Sequence, residues 1–238
     1  MAQRKAAGII GGMGPEATVD LMHRVIRSTP ARDDVDHVRM IVDNNPQVPS
    51  RIKALIEGTG ESPVLCLREM ATKLESHGAD FLAMPCNTAH AYYDDIASVV
   101  SIPMLHMIRL TAAAVAASLE GKGNAGILAS DAVINSSLYE GEFRNVGVSV
   151  LYPRRTPQDD LMDAIKEIKT GETSAPQRAA LRAAAKDLID RGASALVVAC
   201  TELSVVADIL NGFDRVFDAS QVLAEAIVSE ASGYSMKT

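Results

Sequence analysis

The sequence predicts an α/β protein of two pseudo-symmetric domains, each a mainly parallel sheet flanked by helices, with a site in the cleft between them. Three observations carry that expectation. Short apolar runs bounded by glycine and proline alternate with longer helical patterns, the signature of strands buried on both faces and joined by crossover helices. Segments recur at a nearly constant offset: Gly8-Ile9-Ile10 and Gly126-Ile127-Leu128 stand 118 positions apart, and Cys86 and Cys200 stand 114 apart in matching contexts. Hydrophobic residues make up 47% of the chain and aromatic residues only 4%, so the core is built from Ala, Val, Ile, Leu and Met.

Each element follows from local chemistry. Ala7 to Ile10 is a short apolar strand, Gly11-Gly12-Met13-Gly14 a tight turn, and Pro15 suits the first position of a helix. That helix runs to about Thr29, with Val19, Met22 and Ile26 as its apolar face, and Pro30 stops it. Val38 to Asp43 is the second strand, and Asn44 to Arg51 a loop with two prolines. Ser62-Pro63 opens a helix that ends at Gly78. Phe81 to Pro85 is the third strand, and Pro103 to Met107 suggests a fourth. An alanine-rich helix over 110–119 crosses to a strand at Ala125 to Ala129. The pattern then repeats: a helix from Asp131, a strand at Val148 to Tyr152, helices from Pro157 and over Pro176 to Arg191, and a strand at Ala195 to Ala199. Val216 to Asp218 and a last helix return to the first half. The domains are therefore 1–108 with 214–238, carrying Cys86, and 109–213, carrying Cys200.

The totals exclude several classes of function. A net charge of −7 argues against nucleic acid and anionic membrane as partners. No run of 18 apolar residues is long enough to span a bilayer, and the glycine-rich start is no secretory signal, so the expected location is cytoplasmic. Three cysteines without CxxC spacing or a Cys/His cluster suggest neither a disulfide framework nor a metal site. Gly12-Met13-Gly14-Pro15-Glu16-Ala17 fits the GxGxxA form of a dinucleotide fingerprint. The acid that would hold the ribose, Asp43, comes 29 residues after Gly14 rather than about 20, and that reading leaves Cys200 unexplained.

The two cysteines are the chemical signal. Gly78-Ala79-Asp80-Phe81-Leu82-Ala83-Met84-Pro85-Cys86-Asn87-Thr88 and Gly192-Ala193-Ser194-Ala195-Leu196-Val197-Val198-Ala199-Cys200-Thr201-Glu202 each read as a turn, a buried strand, then Cys at the strand's carboxyl end. α/β folds place ligands there, and a helix N-terminus favours the thiolate. A thiol–thiolate pair flanking a carbon can remove a proton from one face and return one to the other. Turn amides around Met13 and Gly14 and the side chains of Asn87, Thr88 and Thr201 are candidate donors to the substrate carboxylate, and Ser130 and Glu202 are further candidate contacts to the substrate. Cys66, on an apolar helix face, reads as core, and His90 as packing or as a support behind the residues that meet substrate.

These residues resemble a family. Gly11-Gly12-Met13-Gly14-Pro15-Glu16-Ala17-Thr18, Asn44-Asn45-Pro46-Gln47-Val48-Pro49-Ser50-Arg51, Met84-Pro85-Cys86-Asn87-Thr88-Ala89-His90 and Cys200-Thr201-Glu202 look like the aspartate/glutamate racemases, and most like the aspartate branch. The resemblance covers nearly the whole chain. It implies a homodimeric, cofactor-independent racemase acting on a small dicarboxylic amino acid, with Cys86 and Cys200 as the two bases. It also implies that Arg51 and Lys169 hold the substrate carboxylates. Leu128-Ala129-Ser130-Asp131-Ala132 departs from the Thr-Gly-Thr stretch of many relatives, and Glu202 stands where glutamate racemases often have His. Two alternatives remain at this stage: a maleate-isomerase-like relative in which one thiol attacks a double bond, and a non-catalytic binder of small carboxylates.

Overall fold

A computed structural model of the protein describes residues 4–171 and 173–233. The chain divides into two compact units. The first runs to Met107 and takes the chain back from Ser220; the second is Ile108–Ala219.

The first unit is built on a three-stranded parallel sheet. Its centre is β1 (Ala7–Gly11), every residue of which is buried. Helix α1 (Pro15–Ser28) follows, with Gly14 as N-cap and Pro15 in the first turn, and Thr29 closes it by bonding back to Val25 and Ile26. Its buried face is Ala17, Thr18, Leu21 and Val25. Val19 and Ile26 instead point outward, at 42% and 44% exposure, which corrects the face expected from periodicity. Leu21 and Val25 are themselves an i, i+4 apolar pair, so the helix carries two competing stripes, and periodicity alone does not choose between them.

Strand β2 (Met40–Asn44) and helix α2 (Val64–Ser76) come next, then β3 (Phe81–Ala83) and the short α3 (Tyr93–Ala97). The strand order is β2-β1-β3, all parallel. The fourth strand expected at Pro103 to Met107 reduces to a single bridge between Leu82 and Met104, because Pro103 lacks an N–H and a helix already begins at Met107.

Helix α4 (Met107–Ser118), whose first residue still belongs to the first unit, leads into the second, which is centred on β4 (Asn124–Leu128). The single helix expected from Asp131 is two, α5 (Asp131–Asn135) and α6 (Leu138–Asn145), broken where Ser137 takes a positive φ. After β5 (Ser149–Leu151), α7 (Arg155–Ile168) begins two residues before Pro157. Proline is tolerated there because first-turn amides have no intrahelical partner. Then follow α8 (Ala175–Asp190), β6 (Ala195–Val198), the one-turn α9 (Thr201–Ser204) and β7 (Val216–Asp218). The order is β5-β4-β6-β7, all parallel. Finally α10 (Ala219–Ser232) carries the chain back to the first unit. The last strand thus pairs with β6, whereas the sequence assigned 214–238 to the first domain. Residues 1–3 and 234–238 of that assignment lie outside the described residues.

The internal repeat extends to atomic packing. α2 ends with Gly78 N–H bonded to Glu75 O and Ala79 N–H bonded to Leu74 O; α8 ends with Gly192 bonded to Ile189 and Ala193 to Leu188. Both are the paired reverse bonds that close a helix on a left-handed glycine, here at φ +89° and +90°. In the central strands, a Cβ on Gly8 would meet Ala79 and Leu74, and one on Gly126 would meet Ala193 and Leu188. The same glycine, alanine and leucine thus interlock in each unit, and each interlock feeds the strand that ends at a cysteine.

Candidate active site

In the first unit, three loops leave the carboxyl ends of parallel strands and pack together. The glycine turn follows β1. Thr18 holds it by accepting the Gly12 amide at 2.9 Å and donating to the Gly14 carbonyl at 3.1 Å. Gly12 has φ +92°, and a Cβ there would lie 2.2 Å from the Asn45 backbone, so the loop after β2 crosses it in direct contact. Met13, Val48, Met84 and Cys86 share one apolar cluster. Cys86, 5% exposed, sits three residues beyond β3, followed by buried Asn87 and half-buried Thr88 at the start of a 3₁₀ turn over Thr88–Tyr92. Arg51 is half-buried, and its Nη1 donates to the Val48 and Pro49 carbonyls of its own loop at 3.2 Å. Cys66, read as core, is half-buried against the same cluster and accepts from Asn45 Nδ2 at 3.4 Å.

His90 is the residue of this unit whose role the sequence understated. It is buried, its Nδ1 lies 2.9 Å from the Cys86 carbonyl, and its Nε2 lies 3.1 Å from the Met107 amide. A carbonyl can only accept and an amide can only donate, so the ring is neutral with its proton on Nδ1. Burial, with the nearby His106 adding to it, depresses its pKa to about 3 against the support of the Cys86 carbonyl.

In the second unit, Cys200 is the N-cap of α9 and 6% exposed. Its thiol donates to Glu202 Oε2 at 3.0 Å. Glu202 is itself only 8% exposed, and its other oxygen lies 3.8 Å from Lys169 Nζ, at the C-terminal end of α7. Burial and the negative charge of Glu202 push the Cys200 thiol well above its ordinary pKa, and Lys169 only partly opposes them. This corrects the expectation that the helix N-terminus would favour the thiolate here: a helix of four residues offers little dipole against a carboxylate at 3 Å.

Lys169 and Glu202, expected to meet substrate, thus meet each other. Thr201 is buried as the first residue of α9. Ser130, also buried, caps α5. Ala199 donates to the Leu128 carbonyl, so the loops at Ser130 and Cys200 leave adjacent strands side by side. Asp131, the departure noted in the sequence, is anchored by buried Gln158, whose Nε2 reaches both Asp131 Oδ1 (2.8 Å) and the Ala129 carbonyl (3.0 Å). No sequence signal marked Gln158, which lies 27 positions from its partner. Among the described residues, no group of three His, Cys, Asp or Glu is placed to hold a metal ion.

The family model for Asp/Glu/Hydantoin racemase matches residues 10–227. The chain belongs to this racemase family. It is similar to the Picrophilus torridus aspartate racemase, with 34% identity and a TM-score of 0.85 over 98% of this chain and 96% of that one. It is 29% identical to the broad specificity amino-acid racemase RacX of Bacillus subtilis (strain 168), over 95% of this chain and 98% of the relative. An aspartate racemase homologue from Pyrococcus horikoshii OT3 shares the fold at 22% identity, with a TM-score of 0.74 over 96% of this chain and 99% of that one. As a racemase the protein is an isomerase of the Asp/Glu type, and the α/β architecture read from the sequence is the one these relatives share. Among the described residues, no helix is long and apolar enough to cross a membrane.

Proposed function

We propose that the protein is a cofactor-independent racemase, acting as a homodimer, that interconverts L- and D-aspartate, with Cys86 and Cys200 as its two acid–base groups. One observation carries the reading: the two thiols occupy repeat-related positions, each buried just beyond the carboxyl end of an equivalent parallel strand. In one direction a thiolate on one cysteine takes the α-hydrogen and becomes a thiol, leaving the electron pair on the α-carbon and its carboxylate. The thiol of the other cysteine then donates its proton to the opposite face and becomes a thiolate. In the reverse direction the roles exchange. The hydrogen bond from Cys200 to Glu202 supports Cys200 as the group that is protonated at rest. Turn amides around Met13 and Gly14, together with Asn87, Thr88, Ser130 and Thr201, supply donors for the charge that develops on the carboxylate. Arg51 is the proposed partner of a substrate carboxylate.

Broader acceptance of amino acids is a second reading, favoured by the ion pair between Lys169 and Glu202. A cation already facing a carboxylate attracts a second one less strongly, and the relative RacX is described as broad in specificity. Incubation of the pure protein with each of a panel of L-amino acids, followed by chiral separation, tests both readings. D-aspartate is the expected product, and Cys86→Ala and Cys200→Ala each abolish its formation with unchanged circular dichroism. Substantial racemisation by either variant overturns the two-base mechanism.

A further inference from the structure

Two-base racemisation leaves the enzyme in the wrong protonation state. After one turnover the cysteine that began as thiolate holds a proton, and the one that began as thiol has lost its own. A second turnover in the same direction requires one proton to leave the first cysteine and another to reach the second. Both cysteines are buried, so solvent does not reach either sulfur freely.

We propose that Glu202 resets Cys200, carrying its proton to and from solvent between turnovers. The inference rests on the two-base reading above. Glu202 Oε2 accepts the Cys200 thiol at 3.0 Å, within direct transfer distance. Its second oxygen, Oε1, faces Lys169 Nζ at 3.8 Å, and the Lys169 side chain is 37% exposed. One carboxylate therefore spans from the buried sulfur to a partly solvated ammonium.

The step balances. To recharge Cys200, Glu202 takes a proton from water on its Lys169 side, its carboxyl group turns about the Cγ–Cδ bond to bring that O–H against the sulfur, and the acid gives the proton to the Cys200 thiolate, returning the carboxylate and the thiol. To discharge Cys200, the same two transfers run backwards. Lys169 holds a positive charge beside both anionic forms, so neither the carboxylate nor the thiolate is left alone in the interior. Glutamine keeps the size and polarity of Glu202 but cannot carry a proton in this way.

The experiment separates the first turnover from those that follow. With enzyme in excess over L-aspartate, Glu202→Gln still converts substrate in the first turnover, and the loss in that single-turnover rate relative to wild type is at least threefold smaller than the loss in its steady rate. With saturating aspartate, its steady rate falls at least tenfold. Glu202→Asp, which keeps the carboxylate on a shorter arm, recovers part of that steady rate. Label transfer gives an independent reading. In a labelled, equilibrated D,L mixture challenged with excess unlabelled L-aspartate, slow resetting drives label transiently from D to L, and does so at substrate concentrations at least tenfold lower in Glu202→Gln than in wild type. Equal steady rates and equal label transfer in wild type and both variants overturn the relay while leaving racemisation intact. Loss of the first turnover in both variants, with native circular dichroism, also overturns it, because a resetting group is not needed for that turnover. Absence of racemisation by wild type itself overturns the underlying reading, and the relay with it.

Discussion

The imidazole of His90 is locked to the main chain of the cysteine it follows: Nδ1 donates to the Cys86 carbonyl at 2.9 Å, while Nε2 accepts the Met107 amide at 3.1 Å. The turn that presents Cys86 is thereby tied to the start of α4 by a ring that must stay neutral. Protonating Nε2 would set two donors against each other inside the protein.

That requirement makes stability depend on pH. The folded state resists protonation of His90 until about pH 3, whereas the unfolded chain takes the proton near the ordinary value of 6.5. Below pH 6.5 the unfolded state therefore binds more protons, and stability falls as pH falls through the window from 6.5 to 3; above 6.5 the group contributes no slope. At pH 4.5, two units into the window, the loss amounts to about 3 kcal/mol. His90→Asn should be less stable than wild type at pH 7, with a gap that narrows by about that amount at pH 4.5. Urea denaturation of both proteins at the two pH values measures the gap. A gap that stays constant would show that His90 is not held neutral.

The repeat-related glycines predict unequal costs for equal substitutions. A Cβ on Gly8 would fall 2.7 Å from Leu82 Cδ2 and 2.8 Å from Ala79 Cβ, closer than such atoms pack. On Gly126 the nearest approaches, to Ala193 and Leu188, are 3.0 Å. Both sites sit in buried central strands, where overpacking costs about 1–3 kcal/mol. Gly8→Ala should fall at the upper end of that range and Gly126→Ala at the lower, read as shifts in thermal midpoint. The reverse order would mean that the first unit yields more readily than its contacts suggest.

Much of the fold was legible because its signals are local. β1, β3, β4 and β6 are short apolar runs between turn residues, and the glycines at 78 and 192 end their helices by backbone geometry alone. What sequence could not show was selection among partners. Val19 and Ile26 make as good a helical stripe as Leu21 and Val25, and only packing in the folded unit, which buries the second pair, decides between them. β7 reads as a strand wherever it is placed, and its pairing with β6 is a non-local choice. In the site, both cysteine turns were legible from their matching contexts. The bond from Cys200 to Glu202 was not, because it depends on where two side chains point within a one-turn helix. The importance of His90 emerges only with Met107, 17 positions away.

Arg51 offers a test of substrate recognition that is separate from the cysteines. Its Nη1 is occupied by two carbonyls of its own loop, so the side chain is already fixed in direction. A planar guanidinium so fixed suits a carboxylate, and lysine at this position would lose the paired geometry. Arg51→Lys should raise the KM for aspartate at least several-fold, with a smaller effect on a neutral amino acid if one is accepted. Steady-state kinetics on both substrates measures this, and unchanged kinetics with aspartate removes Arg51 from the site.

The two-base mechanism makes its sharpest prediction in heavy water. When L-aspartate is converted, the thiolate facing its α-hydrogen removes that hydrogen, and the thiol on the other face, already exchanged with solvent, delivers deuterium. The first D-aspartate to appear should therefore carry deuterium at the α-carbon. Recovered L-aspartate should carry little at early times, because the first cysteine, buried and holding the abstracted proton, returns that same proton when the reaction reverses. The converse holds from the D side. A single base serving both faces would instead return some original hydrogen to the opposite enantiomer. Mass spectrometry of each enantiomer after chiral separation, at less than about a tenth of full conversion, distinguishes the two. Substantial original hydrogen in the earliest D-aspartate would refute the assignment of separate roles to Cys86 and Cys200.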